Sequence, residues 1–175
     1  MAGKQIYLTG FMGAGKSMVA EYLHRLYGFK SIEMDAAIEK KEKMKISEIF
    51  RKKGEAYFRD LETSLLRELS EEENVVVSCG GGTVMRLENV RIMKENGEVI
   101  LLKASPKTIY DRVRDNHDRP LLEGNMNQEY IAQLMEARRP AYEAAADVVI
   151  PTDEKSGEEI CKEILHEWNI GNTDK

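Results

Sequence analysis

Lys16 and Ser17 close the stretch Gly10-Phe11-Met12-Gly13-Ala14-Gly15-Lys16-Ser17, which fits the pattern G-x-x-x-x-G-K-[ST]. Its three glycines let the backbone curl and turn successive N–H groups inward, toward an anion. The start of the following helix adds the positive end of its dipole. A lysine at this place reaches the β- and γ-phosphates of a nucleotide, and the adjoining hydroxyl is offered to Mg²⁺. The plainer alternative is a strand-to-helix turn that happens to be rich in glycine. An apolar strand over 5–9 and helically spaced Met18, Val19, Tyr22, Leu23 and Leu26 frame the turn and favour the phosphate cradle.

A second group of residues could complete a transfer site. Glu33 and Asp35 stand at i, i+2 at the end of a weak strand over 30–34, where extended side chains point the same way. One carboxylate can hold Mg²⁺ through water and the other can accept a proton from a hydroxyl. The competing role for Asp35 is a helix N-cap. Gly80-Gly81-Gly82 follows a run of valines, and three glycines in a row suit close approach of backbone to a ligand better than an ordinary turn. Arg59, with Glu62 one turn on to orient it, Arg119 in a polar stretch, and the pair Arg138-Arg139 supply cations. Any of them alone is an ordinary surface charge. Together they fit a carboxylate and a phosphate. His24, His117 and His166 share no ligand spacing, and Cys79 has no visible base beside it.

These residues need an alternating scaffold. Helices are expected over 18–27, 36–43, 46–52, 58–69, 87–95, 106–113, 128–146 and 157–168, with Ser47 as a start signal, Ser105 as an N-cap, Pro106 at the first helical position, and Pro140 as a kink or break. Strands are expected over 5–9, 30–34, 75–77, 99–102 and 148–150. Five alternations imply a parallel sheet flanked by helices, with ligands at the carboxyl ends of its strands. The polar run over 114–127 reads as a mobile lid, in a single domain over 1–170 with a tail over 171–175.

The 175 residues suffice for one sizeable core. A net charge of −5 argues against a nucleic-acid partner. The two distant cysteines suggest neither a disulfide framework nor a zinc site. The N-terminus carries no apolar segment of the secretory kind, and no stretch approaches the ~18 apolar residues of a membrane span. A cytoplasmic monomer with no membrane partner is expected.

The whole set resembles shikimate kinase, within the nucleoside-monophosphate-kinase-like P-loop proteins. The likeness extends over about 6–168 and rests on Gly10 to Ser17, Glu33-Met34-Asp35, Gly54-Glu55-Ala56-Tyr57-Phe58-Arg59 with Glu62, Gly80-Gly81-Gly82, Arg119-Pro120-Leu121-Leu122, and Arg138-Arg139-Pro140-Ala141-Tyr142. The resemblance implies an α/β P-loop kinase fold with a five-stranded parallel sheet and a lid. It implies transfer of the γ-phosphoryl of ATP to the 3-hydroxyl of shikimate, a step toward chorismate and the aromatic amino acids. Gly13, Ala14, Gly15, Lys16, Ser17 and Met18 would line the ATP phosphates, Arg112 would stack on adenine, and Arg119 would reach the phosphates from the lid. Asp35 would bind the acceptor hydroxyls and act as base, with Lys16 and Arg119 as its catalytic companions. Arg59, Arg138 and the triplet Gly80, Gly81 and Gly82 would hold the shikimate carboxylate. Ser17 would ligate Mg²⁺ directly and Glu33 through water. Two departures stand out: Glu33 replaces the first aspartate of the family's D-x-D, and Met18 replaces a hydroxyl residue.

Two other readings compete. Another small kinase of this fold, for gluconate or a nucleotide, would share the phosphate loop. A non-catalytic nucleotide-binding module would share the fold, yet such modules often lose the loop lysine or the acceptor-site acid, and Lys16 and Asp35 are both present.

Overall fold

A computed structural model describes residues 5–114 and 127–173. In chain order its elements are β1 (Gln5–Thr9), α1 (Lys16–Tyr27), β2 (Lys30–Glu33), α2 (Met34–Glu42), α3 (Ile46–Lys53), α4 (Glu55–Leu69), β3 (Val75–Ser78), a 3-10 turn (Thr83–Met85), α5 (Leu87–Asn96), β4 (Gly97–Lys103), α6 (Pro106–Val113), α7 (Gln128–Ala145), β5 (Val148–Pro151) and α8 (Gly157–Thr173). Among the described residues the strands form one sheet of order β2-β3-β1-β4-β5, parallel throughout. The α/β architecture and five-stranded parallel sheet are those expected from the alternation.

Covering both faces of the sheet explains the sequence of its strands. Ile6, Tyr7, Leu8, Val75, Val76, Val77, Val99 and Ile100 are all fully buried. Near-continuous apolar runs of this kind belong to parallel strands packed on two sides. Each such aliphatic side chain contributes about 1.5–3 kcal/mol. The polar side chains at the start of β1 are paired. Tyr7 Oη donates to Gln5 Oε1, and Gln5 Nε2 donates to Leu69 O and to Glu72 O, which tethers the start of β1 to the end of α4.

The register sets the functional edge. Leu8 and Glu33 both lie opposite Ser78, and the ladder continues past β3 with Cys79 N donating to Leu8 O at 3.0 Å. The turn after β1, the start of α2 and the glycine triplet therefore share the carboxyl edge of the sheet, where open α/β sheets bind ligands.

Several boundaries differ from expectation. α2 starts at Met34, directly after Glu33, and the Met34 side chain is fully buried. α3 covers Ile46–Lys53, in line with the expected 46–52, with Lys45 rather than Ser47 at its N-cap, and Ile46 N is met by Glu39 Oε2 at 3.2 Å from α2. α7 runs unbroken through Pro140. The carbonyl that Pro140 cannot serve belongs to Glu136, an exposed residue, while Ile131 on one side and Tyr142 and Ala145 on the other anchor both halves of the helix in the core. Ser105 caps α6 as expected, with its Oγ accepting from Thr108 N at 3.2 Å and Pro106 at the first position. α8 continues to Thr173, beyond the expected end at 168. Of the lid expected over 114–127, residues 115–126, including Arg119 and His117, lie outside the described residues. Among the described residues no helix is long and apolar enough to cross a membrane.

Candidate active site

The turn between β1 and α1 has the backbone that its glycines permit. Gly13 and Gly15 hold φ values of +80° and +99°, and Ala14 N closes the turn on Phe11 O at 3.0 Å. L-residues enter this left-handed region at a cost, so the two positions need glycine. Lys16 Nζ folds over the loop and donates to Gly10 O at 2.5 Å and to Phe11 O at 3.1 Å, which places an ammonium at the mouth of the cradle. Arg112, from α6, donates through Nη1 to Gly13 O at 2.9 Å and so braces the loop from outside. Met18 is partly exposed, and its Cε passes near Gly15.

Glu33 and Asp35 do not share one face. β2 ends at Glu33, and Asp35 sits in the first turn of α2. A helix turns about 100° per residue where a strand turns 180°, so the two carboxylates diverge. Glu33 Oε2 accepts from Ser17 Oγ at 3.0 Å, beside the phosphate loop. Asp35 faces the other way, with Oδ1 3.3 Å from where a Cβ on Gly80 would sit. Glu33, at the N-cap place, makes no side-chain capping bond to the helix. Glu33 thus lies beside the phosphate loop and Asp35 beside the glycine triplet.

Each glycine of the triplet makes room for a different group. A Cβ on Gly80 would lie 2.9 Å from Glu62 Oε2, and one on Gly81 would lie 3.5 Å from Arg138 Nη1. A Cβ on Gly82 would lie 2.6 Å from both Nη atoms of Arg59. The loop backbone is close by, with Met12 N 4.0 Å from the Gly81 position. Asp35, Arg59 and Arg138 therefore converge on one short backbone segment at the rim of the phosphate cradle. Three different elements, α2, α4 and α7, deliver them.

Buried partners hold the two arginines. Arg59 Nη1 pairs with Glu62 Oε1 at 2.6 Å, the i, i+3 contact expected on α4, and Nη2 reaches Glu55 Oε1 at 3.3 Å. Glu62 is fully buried. Burial pushes its carboxyl above the usual carboxylate value, while the Thr83 hydroxyl and the Arg59 guanidinium pull it back down. Burial opposes the Arg59 charge, but its carboxylate partners outweigh that and hold the guanidinium above its ordinary value. Arg138 Nη1 and Tyr142 Oη both donate to Gly81 O, which ties α7 to the triplet. Burial pushes the Tyr142 hydroxyl up, against the pull of Arg138.

Other side chains stay out of this centre. Cys79 is buried next to the triplet, and burial raises its thiol far above the ordinary value, so it is no nucleophile. Arg139, counted with Arg138 among the candidate cations, forms exposed ion pairs with Glu136 and Glu143 along α7. His24 Nδ1 meets Phe29 O at 2.7 Å and closes the end of α1. Among the described residues no group of three or more His, Cys, Asp or Glu side chains could hold a metal ion by itself. The Ser17 hydroxyl and Glu33 carboxylate beside the loop are hard oxygen donors of the kind Mg²⁺ takes together with nucleotide phosphates.

Three residues of the site escape a reading of the sequence. Tyr142 lies within the Arg138–Tyr142 motif, but nothing in its type or spacing shows that it bonds to Gly81. Thr83 follows the triplet as an ordinary polar residue, and Asn89 occupies a polar place in an amphipathic helix. Both are fully buried. Only tertiary packing discloses them.

Known proteins resemble the chain over nearly its whole length. A family model described as shikimate kinase matches residues 12–169. A shikimate kinase of Persephonella marina is 46% identical over 162 residues, which cover 93% of this chain and 97% of that one. A solved structure of shikimate kinase from Acinetobacter baumannii in complex with shikimate superposes with a TM-score of 0.89 at 32% identity, over 99% of this chain and 96% of that one. The enzyme from Aquifex aeolicus gives a TM-score of 0.81 at 40% identity, over 97% and 98%. Identity of this level across nearly the whole length of both chains, on a shared fold, means that the chain belongs to the shikimate kinase family.

Proposed function

We propose that the chain moves the γ-phosphoryl of ATP to the 3-hydroxyl of shikimate, with Asp35 as the base. The observation that carries this reading is the convergence of Asp35, Arg59 and Arg138 on Gly80-Gly81-Gly82 at the rim of the phosphate loop. One acid and two guanidiniums around bare backbone suit a small polyol that carries a carboxylate. Arg59, Arg138 and the Gly81 backbone bind the carboxylate, which turns a ring hydroxyl toward Asp35 and the phosphate cradle.

Asp35 takes the hydroxyl proton as the hydroxyl oxygen bonds to the γ-phosphorus. The bond from that phosphorus to the β–γ bridging oxygen breaks, and ADP leaves with the electron pair. Gly13, Ala14 and Gly15 amides, Lys16 and Met18 surround the phosphates, and Lys16 balances the charge that spreads over the transferred group. Ser17 directly and Glu33 through water are the residues that would hold Mg²⁺, which when bound neutralises phosphate charge. Arg112, which donates to Gly13 O beside the loop, is assigned to the adenine by the family resemblance. Arg119, outside the described residues, is assigned to the phosphates by its place in the Arg119–Leu122 motif. The protein acts as a cytoplasmic monomer on ATP and shikimate, without nucleic-acid or membrane partners, in keeping with its net charge of −5.

Asp35→Ala tests the central role. It abolishes turnover while ATP binding, measured by titration calorimetry, stays within about twofold. Retained turnover would remove Asp35 as the base.

A further inference from the structure

We propose that Thr83 and Asn89 are positioning residues that set affinity for the carboxylated acceptor by fixing Glu62, and through it Arg59. This rests on the reading of Arg59 as a carboxylate ligand. Five buried or half-buried groups, Arg59, Glu62, Thr83, Asn89 and Thr63, form an unbroken chain. Arg59 Nη1 donates to Glu62 Oε1 at 2.6 Å, and Thr83 Oγ1 donates to Glu62 Oε2 at 2.6 Å. Asn89 Nδ2 donates to Thr83 O at 3.0 Å, and Asn89 Oδ1 accepts from Thr63 Oγ1 at 2.6 Å. Arg86 Nη1 closes the outer end by donating to Thr63 Oγ1 at 3.1 Å and to Asp60 Oδ1 at 2.8 Å.

The chain leaves its members little freedom. Glu62, Thr83 and Asn89 are each 0% exposed, so none can exchange its partner for bulk water. Asn89 must present Nδ2 to the Thr83 carbonyl, and this directs Oδ1 at Thr63. The Thr83 hydroxyl has a single proton, and the short contact sends it to Glu62 Oε2. The carboxylate then keeps Oε1 for Arg59. In this pose Arg59 lies against Gly82, where only a glycine leaves space for the guanidinium. Asn89 fixes the backbone of the residue that follows the triplet, and Thr83 N donates to Gly80 O at 3.2 Å, so the same chain sets the curvature of the segment the substrate meets. Without the Thr83 hydroxyl, Glu62 Oε2 faces Asp35 with no donor, and the carboxylate rotates or protonates. Either response loosens Arg59. A hydrogen bond to a buried charge governs roughly a 10- to 100-fold change in equilibrium.

The test is steady-state kinetics on four variants beside the wild-type enzyme. Thr83→Val keeps the volume and removes the hydroxyl. It raises KM for shikimate roughly tenfold or more, with KM for ATP and kcat within about twofold. Thr83→Ser restores wild-type KM, which a role in packing alone would not achieve. Arg59→Ala raises KM for shikimate by itself, and adding Thr83→Val to it changes KM by less than about twofold, because the two act through one contact. If Thr83→Val does not fold, as judged by circular dichroism, Thr83→Ala takes its place. The proposal is overturned if the folded Thr83 variant leaves KM for shikimate unchanged, if Thr83→Ser behaves like the valine variant, or if the two losses multiply. An Arg59→Ala enzyme with normal KM for shikimate would overturn the carboxylate reading as well, and it is told apart by that single variant.

Discussion

Ser17 Oγ donates to Glu33 Oε2 at 3.0 Å, which joins the phosphate loop to the end of β2. Glutamate here stands where the family's pattern has aspartate, and its extra methylene lets it span to Ser17. The proposed function gives this pair the phosphate side of the site and Asp35 the acceptor side. Glu33→Gln is therefore expected to raise the Mg²⁺ concentration for half-maximal rate by about tenfold, the usual effect of losing an outer partner of a metal. KM for shikimate stays unchanged. A Mg²⁺ titration that superposes on the wild type would exclude Glu33 from metal binding.

Gly82→Ala isolates the acceptor side. Gly82 has an ordinary negative φ of −103°, so alanine brings no backbone strain. Its Cβ would meet both Arg59 Nη atoms at 2.6 Å and must displace the guanidinium. KM for shikimate rises by roughly tenfold or more, while Tm stays within about 4 °C. A normal KM would mean that Arg59 does its work from another position.

Glu62 gives the acid side of the pH profile a defined sign. Burial raises its carboxyl above the usual value, and only the charged form pairs with Arg59. As pH falls through that raised pKa the pairing is lost, so kcat/KM for shikimate declines at a pH above the ordinary carboxylate range. Glu62→Gln is slower at every pH and lacks this acid limb. Stability moves in the opposite direction. A carboxyl whose folded pKa is raised contributes stability that is present below its unfolded pKa and is lost as pH rises through the folded one. Urea unfolding should therefore show the glutamine variant gaining on the wild type as pH rises through and above the ordinary carboxylate range. A constant difference across that range would show that Glu62 titrates normally.

Much of this was open to a reader of the sequence, for definite physical reasons. The glycine and lysine positions of the loop carry their chemistry in the residue types themselves, and Arg59 with Glu62 follows from helical spacing alone. Met34 reads equally well as the end of a strand or the start of a helix, so the residue types leave the start of α2 open. That one boundary separated Glu33 from Asp35. Pro140 was read as a break because local propensity disfavours it in a helix, yet contacts at Ile131, Tyr142 and Ala145 override it. Thr83 and Asn89 were invisible because a buried hydrogen bond between residues of β3's exit loop and α5 has no period in the sequence.

Both cysteines are shielded. Cys79 and Cys161 are buried, and burial pushes the Cys161 thiol up to about 11. Aromatic disulfide reagents should label neither thiol of the native enzyme at pH 8 within minutes, and both in guanidinium chloride. Rapid labelling of Cys79 with loss of activity would indicate that the triplet opens readily.

The most direct test of the account is coupled ADP release with ATP and Mg²⁺, run with shikimate, gluconate and AMP as alternative acceptors. The geometry around Gly80-Gly81-Gly82 predicts release with shikimate alone. Release with gluconate or AMP would contradict the acceptor assignment and leave only the phosphate loop standing, and no release with any acceptor, despite bound ATP, would contradict catalysis itself.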